Sequence, residues 1–186
     1  QTRKNKKCLG ESIENRPQHV ETREEFGHFE IDSVIGRKDK EDDVLLTLIE
    51  RKTRREFIVK MDGKDADSVN YAVETIVKHF GELAPTLFKS ITADNGSEFS
   101  ELAEKFQEAM NIYFTHPYSS WERGTNENHN RMIRRWIPKG TCIEDYSRSY
   151  IQMVEDKMNH LPRRIHGFKT PHELFEEELK RLADAV

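Results

Sequence analysis

The chain has few of the residues that would place it outside the cell or in a membrane. It has two cysteines in 186 residues, Cys8 and Cys142, too few for a disulfide framework and without metal-ligand spacing. A reducing, cytoplasmic setting is therefore expected. No apolar run approaches the roughly 18–20 residues that a membrane-spanning helix needs. The basic opening QTRKNKKCLG is followed by no apolar stretch, so it does not read as a signal peptide. Internal repeats and low-complexity tracts are absent. Nor is there an excess of positive charge: 30 Lys and Arg face 34 Asp and Glu, a net charge of −4. As an average, that argues against a nucleic-acid partner.

What is present suits one folded domain. Hydrophobic residues make up 35% of the chain, enough for a core at a length typical of single domains. The opening is Gln1 rather than methionine, so a further N-terminal segment is expected. Residues 1–26 read as a basic arm or linker, with Arg3, Lys4, Lys6 and Lys7 at its start. From Gly27 the pattern changes. HFEIDSV alternates, with Phe29 and Ile31 on one face and Glu30 and Asp32 on the other. VLLTLIE (44–50) is apolar enough to be buried on both faces. EFIVKM (56–61) completes an antiparallel meander with short charged turns.

A helix follows, capped by Asp67 or Ser68, with Val69, Ala72, Val73, Ile76, Val77 and Phe80 on one stripe. LFKSITA (87–93) is a fourth strand running into the turn signal Asp94-Asn95-Gly96. A second helix carries Phe99, Leu102, Ala103, Phe106 and Met110, and NIYFTH (111–116) is a fifth strand. A third helix spans about 125–136 and is broken by Pro138-Lys139-Gly140. Two more are expected over 143–159 and 171–183, the last with Thr170 as cap and Pro171 in the first turn. The order β-β-β-α-β-α-β-α-α-α predicts an α/β domain with a mixed five-stranded sheet flanked by helices.

Three carboxylates stand out by position. Asp32 lies inside a strand, where a charge is costly unless paired or metal-bound. Asp94 ends a strand, where ligands gather in open α/β sheets, and Gly96 would let the chain turn sharply beside it. Glu127 lies on the third helix; at about 100° per residue, Arg131 and Arg134 fall within about 40° of it, with Met132, Ile133 and Trp136 opposite. Each acid taken alone reads first as solvated surface. Converging, they would suit hard divalent cations and two-metal phosphoryl transfer. Residues 121–140 hold five basic residues against two acidic, with Tyr118 and Trp121 nearby. Basic groups can contact phosphates and rings can stack on bases.

These stretches carry a resemblance. HFEIDSVIG, SITADNGSEF and THPYSSWERGTNENHNRMIRRWIPKGT, with NHLPRRIHGFKTPHELF near the C-terminus, resemble the catalytic core of bacterial insertion-sequence transposases of the acidic-triad (DDE) class, of the group numbered thirty. The likeness covers about residues 27–178 and extends more distantly to retroviral integrase cores. It implies a ribonuclease-H-like fold and a Mg²⁺- or Mn²⁺-dependent polynucleotidyl transferase with two ions held by Asp32, Asp94 and Glu127. Between the last two lie 32 residues, close to the family spacing. By the same resemblance the core would nick transposon ends and join the 3′-hydroxyl to target DNA, as a homo-oligomer on paired ends, on the bacterial nucleoid. Arg123, Arg131, Arg134, Lys139 and Trp121 are the expected DNA contacts. The family's helix-turn-helix region is expected before Gln1. Two other functions stay open: a DNA-binding or oligomerisation module without chemistry, and a nuclease that hydrolyses without joining.

Overall fold

The computed structural model describes residues 9–39, 41–116 and 124–185. Its centre is the expected meander: β2 (His28–Ile35), β3 (Val44–Glu50) and β4 (Glu56–Met61), antiparallel throughout. β5 (Ser90–Ala93) runs parallel to β2, and β6 (Asn111–Phe114) parallel to β5. The sheet has six strands rather than five. The sixth, β1 (Glu11–Ser12), comes from the N-terminal arm and pairs with β6 as Glu11↔Tyr113 and Ser12↔Phe114. Two residues give no alternation to read, so nothing in the arm's sequence announces it. The order β1-β6-β5-β2-β3-β4 puts β2 in the middle of the sheet.

Alternation along β2 sorts two cores. Phe29 and Ile31 join Leu46, Leu48, Ile91 and Phe114 on one face. That face is covered by α2 (Ala66–His79) through Val69, Ala72, Val73 and Ile76, by α4 (Leu102–Phe106), and by Phe175 of α7 (Pro171–Asp184). On the other face Val34, Leu45 and Ile58 meet Ile133 of α5 (Gly124–Ile133) and Ile151, Val154 and Met158 of α6 (Arg148–Asn159). Single turns of helix, α1 (Gln18–Glu21) and α3 (Ala84–Leu87), fill the connections. Among the described residues no helix is long and apolar enough to cross a membrane.

Helix starts follow capping chemistry. The cap of α2 is Asp65, two residues before the expected Asp67; its carboxylate accepts from both the backbone N–H and the hydroxyl of Ser68. α6 begins at Arg148, behind the Ser147 cap, later than the expected 143. Residues 142–144 are drawn off the helix because the Asp42 carboxylate accepts from the N–H groups of Ile143 and Glu144 and from the Cys142 thiol. α7 carries the full capping box, Thr170 with Glu173, and Pro171 in its first turn. Thr170→Ala should cost about 1 kcal/mol, read as a fall in Tm of roughly 2–4 °C.

The outer edge of β4 is covered by side chains of α6. Glu155 accepts from the Ile58 N–H at 2.7 Å, and Asn159 bonds both the N–H and the carbonyl of Glu56. Burial pushes the Glu155 carboxyl up from its ordinary pKa. These bonds blunt an edge that would otherwise template strand addition.

Candidate active site

Asp32 and Asp94 are brought together by the parallel pairing of β2 and β5. The register runs His28↔Ser90, Phe29↔Ile91 and Glu30↔Thr92. Two residues further along each chain stand Asp32, within β2, and Asp94, the residue after the end of β5. Neighbouring strands lie about 4.8 Å apart. Both residues are half-buried. Asp94 Oδ1 accepts from the Gly96 N–H at 2.7 Å. The next residue, Asn95, is buried and secures the loop: its amide donates to the Thr115 carbonyl at 2.5 Å, and its oxygen accepts from the Leu9 N–H at 3.0 Å.

Gly96 was expected to let the chain turn sharply beside Asp94, but it does so without a left-handed φ. Its φ is −66°, open to any residue. Space is what it supplies. A Cβ there would stand 2.4 Å from Glu98 Oε2 and 2.9 Å from Asp94 Oδ1. Glu98 is itself buried, held by the Ser33 hydroxyl at 2.7 Å and by Lys64 at 3.1 Å.

α5 crosses β2 on the face that carries Glu30, Asp32 and Val34, and three helix positions meet that strand in turn. The buried Asn126 points its N–H at Glu30 (3.4 Å) and donates its amide to the Ile31 carbonyl (3.3 Å). One turn on, Asn130 donates to Asp32 Oδ2 at 2.8 Å. Then Ile133 packs with Val34. Glu127 is exposed in the first turn, next to Asn126 and three residues before Asn130. Residues three apart on a helix are surface neighbours, so Glu127 flanks the asparagine that holds Asp32. His129 turns the other way, buried against Glu56 at 2.9 Å.

The flanking charges sort unevenly. Arg131 and Lys139 are exposed, and Arg131 donates to Asn128 at 2.7 Å. Arg134 is half-buried and spends one donor on the Ile35 carbonyl at 2.7 Å, tying α5 to the end of β2; burial holds its pKa below the ordinary value. Trp121 and Arg123, also expected at the DNA, lie outside the described residues.

Carboxylate oxygens from Asp32, Asp94 and Glu127 are the donor set that Mg²⁺ or Mn²⁺ prefers. No choice of one oxygen from each of the three brings them all within 4.8 Å of one another. Among the described residues the set that does is His19, Glu25 and His28, at the arm. There both imidazoles reach one oxygen of Glu25, at 3.0 and 2.7 Å, and Lys89 takes the other at 2.7 Å. Ligands on a shared zinc ion would stand about 3.3 Å apart. The closer contacts are those of an ion-pair network, in which Lys89 and His28 lower the Glu25 pKa to about 2.

Asn126, Asn130 and Glu98 were not singled out from sequence. The two asparagines stand four apart, flanking Glu127, on a helix whose readable pattern is its apolar side. Glu98 lies within the DNGSEF motif, but only the fold turns it toward Ser33.

Comparisons with known proteins bear on the family and the fold. The chain is 46% identical over 171 residues to a probable transposase of the insertion-like element IS1161 from Streptococcus salivarius, covering 92% of this chain and 48% of that protein. It is 41% identical over 169 residues to the IS4351 transposase of Bacteroides fragilis, covering 89% and 49%. To the IS30A transposase InsI of Escherichia coli it is 38% identical over 168 residues, covering 90% and 42%. The chain thus spans about half the length of the curated relatives it matches. No family model matches it. Among solved structures, the BIV integrase catalytic core domain superposes with a TM-score of 0.60 at 14% identity, over 83% of this chain and 96% of that one. A chain of the simian T-cell lymphotropic virus intasome in complex with PP2A regulatory subunit B56 gamma gives 0.64 at 15%, over 80% and 53%. By sequence the chain is a homologue, along most of its length, of IS30-type insertion-sequence transposases, and its fold is the ribonuclease-H-like fold of integrase catalytic cores.

Proposed function

We propose that the chain is the catalytic core of a metal-dependent DNA transposase, which nicks transposon ends with water and joins the freed 3′-hydroxyl to target DNA. The observation that supports the reading is the parallel register of β2 and β5, which runs to Glu30↔Thr92, two residues before Asp32 and Asp94, with Glu127 on the helix that crosses β2. Asp32, Asp94 and Glu127 would hold two Mg²⁺ or Mn²⁺ ions. Bound there, divalent ions supply Lewis-acid stabilisation of the attacking and leaving oxygens of phosphoryl transfer.

The chain's own part is positioning. Asn130 fixes the rotation of the Asp32 carboxylate, and the Gly96 N–H fixes that of Asp94. Arg131 and Lys139 face solvent and neutralise backbone phosphates. Arg134 contributes with the part of its guanidinium not committed to Ile35. Arg123 adds a further phosphate contact, and Trp121 stacks on an unpaired end base. The active form is a homo-oligomer on paired ends, working on DNA in the bacterial cytoplasm.

A labelled transposon-end duplex and a target plasmid test the reading. Nicked and joined products should form with Mg²⁺ or Mn²⁺ and not with EDTA. Nicks without joins would make the protein a hydrolytic nuclease; DNA binding without cleavage would make it a binding module. Gly96→Ala should lower nicking by about ten- to a hundredfold by pushing Asp94 or Glu98 off position, while the Tm stays nearly unchanged.

A further inference from the structure

A second charged feature lies beside α5, away from Asp32 and Asp94. A cavity of about 280 Å³ opens there, and Arg23, Arg54, Arg163 and Arg164 line it together with Thr125 and Asn128 of α5. The arginines arrive from three separate places: the arm, the β3–β4 turn and the segment after α6. No carboxylate is among the described lining residues.

Gathering like charges in a recess is unfavourable, and the structure bears that cost in several ways. Arg23 and Arg54 both sit at left-handed φ, 58° and 65°, a conformation that non-glycine residues seldom adopt. Burial first, and then the neighbouring Arg23, push the Arg54 pKa down to about 10. Arg163 is also lowered by burial, and its Nε is buried with no hydrogen-bond partner. The nearest acids are engaged elsewhere. Glu30 faces Arg51 at 3.3 Å, and Glu50 accepts from Gly27 and Thr53. One contact points the cluster at the helix: Arg54 donates to the Thr125 hydroxyl at 3.1 Å. Thr125, Asn128 and His129 place the cavity at the first turns of α5, on the side of the helix away from Glu127. Guanidinium forks, an adjacent hydroxyl and amide, and the positive end of α5 together suit a tetrahedral oxyanion.

We propose that this cavity is a socket for one backbone phosphate of the bound DNA, on the side of α5 away from Glu127. The proposal rests on the DNA reading above, and it adds Arg23, Arg54 and Arg164 to the contacts; Arg163, whose terminal nitrogens donate to Met132 Sδ and the Met158 carbonyl, adds charge. The socket would fix the strand's register without reading its sequence, as phosphate contacts do.

Fluorescence anisotropy of a labelled duplex over a salt series tests it. Arg164→Gln removes an exposed member, so the fold is retained; Arg54→Gln removes the anchored one. Each should weaken binding of end and unrelated duplexes alike, by about three- to tenfold, and lower the salt slope by about one. Arg148→Gln, an equal loss of charge on another face, should change neither by as much. If the socket variants lose no more than Arg148→Gln, the proposal fails. It also fails if inorganic phosphate raises the Tm of the wild type but not of Arg164→Gln while DNA affinity is unchanged; the cavity is then a small-anion site. Neither result touches the transposase reading, which stands or falls on metal-dependent nicking.

Discussion

Asp94→Asn should reduce metal-dependent nicking on the order of a thousandfold, with no loss of fold. Asparagine keeps the oxygen that accepts the Gly96 N–H, so that tie to the loop after β5 is retained. The change removes one negative charge from a pair of carboxylates on adjacent strands. In the absence of metal their mutual repulsion falls, and the Tm should stay level or rise slightly. What is lost is the anionic ligand that would bind a hard cation. Quantifying labelled nicked product in Mn²⁺ beside a thermal melt separates the two effects. Equal activity in the variant would remove Asp94 from the chemistry, and a collapse of the Tm would show that its role is structural.

The largest expected effect on stability is at Glu30→Gln. Glu30 and Arg51 are both almost wholly buried, with Arg51 Nε 3.3 Å from Glu30 Oε1. Burial lowers the Arg51 pKa, and the Glu30 charge is the first influence that opposes this. The next carboxylate, Glu21 at 3.6 Å, is half exposed and shared with Arg16. Neutralising Glu30 leaves a guanidinium in the core with one weak partner. Breaking a buried pair from one side typically costs about 3–5 kcal/mol. For a domain of this size that corresponds to a Tm fall of roughly 6–20 °C. Because Glu30 also faces the Asn126 N–H, the first turn of α5 should loosen, and nicking should fall at temperatures where the variant is still folded. Calorimetry and a nicking assay at low temperature measure both parts. A Tm within 2 °C of wild type would mean that Arg51 draws its compensation from elsewhere.

Where sequence reasoning worked, the signal was periodic. The alternation of Phe29 and Ile31 against Glu30 and Asp32 is the alternation of the two sheet faces, and the stripe on α2 is its buried side. Strands β3 and β4 were legible for the same reason. Where it failed, the cause was a contact distant in sequence or one too short to repeat. β1 is two residues long and exists because β6 offers an edge. The start of α6 is set by Asp42, about a hundred residues away. Gly96 looked like a turn glycine, but its role comes from the bulk of Glu98 and Asp94.

The candidate site divides in the same way. Asp32, Asp94 and Glu127 stood out through their motifs, but the register that leads up to the first two appears only once β2 and β5 pair. The asparagines that meet β2 could not be told from polar surface. The arginine cavity was invisible because its members come from the arm, a turn and a late loop. The net charge of −4 points away from DNA only as an average. The chain concentrates positive charge around α5, while α7 carries five acids against two bases.

The central claim is that Asp32, Asp94 and Glu127 form one divalent-metal site. Crystals of the protein soaked in Mn²⁺ and measured at the manganese absorption edge test it most directly. The account predicts anomalous peaks within about 2.0–2.5 Å of carboxylate oxygens of Asp32 and Asp94, with Glu127 turned toward them, and no such peaks in Asp94→Asn. Manganese bound at His19, Glu25 and His28 instead, with nothing between Asp32 and Asp94, would contradict it.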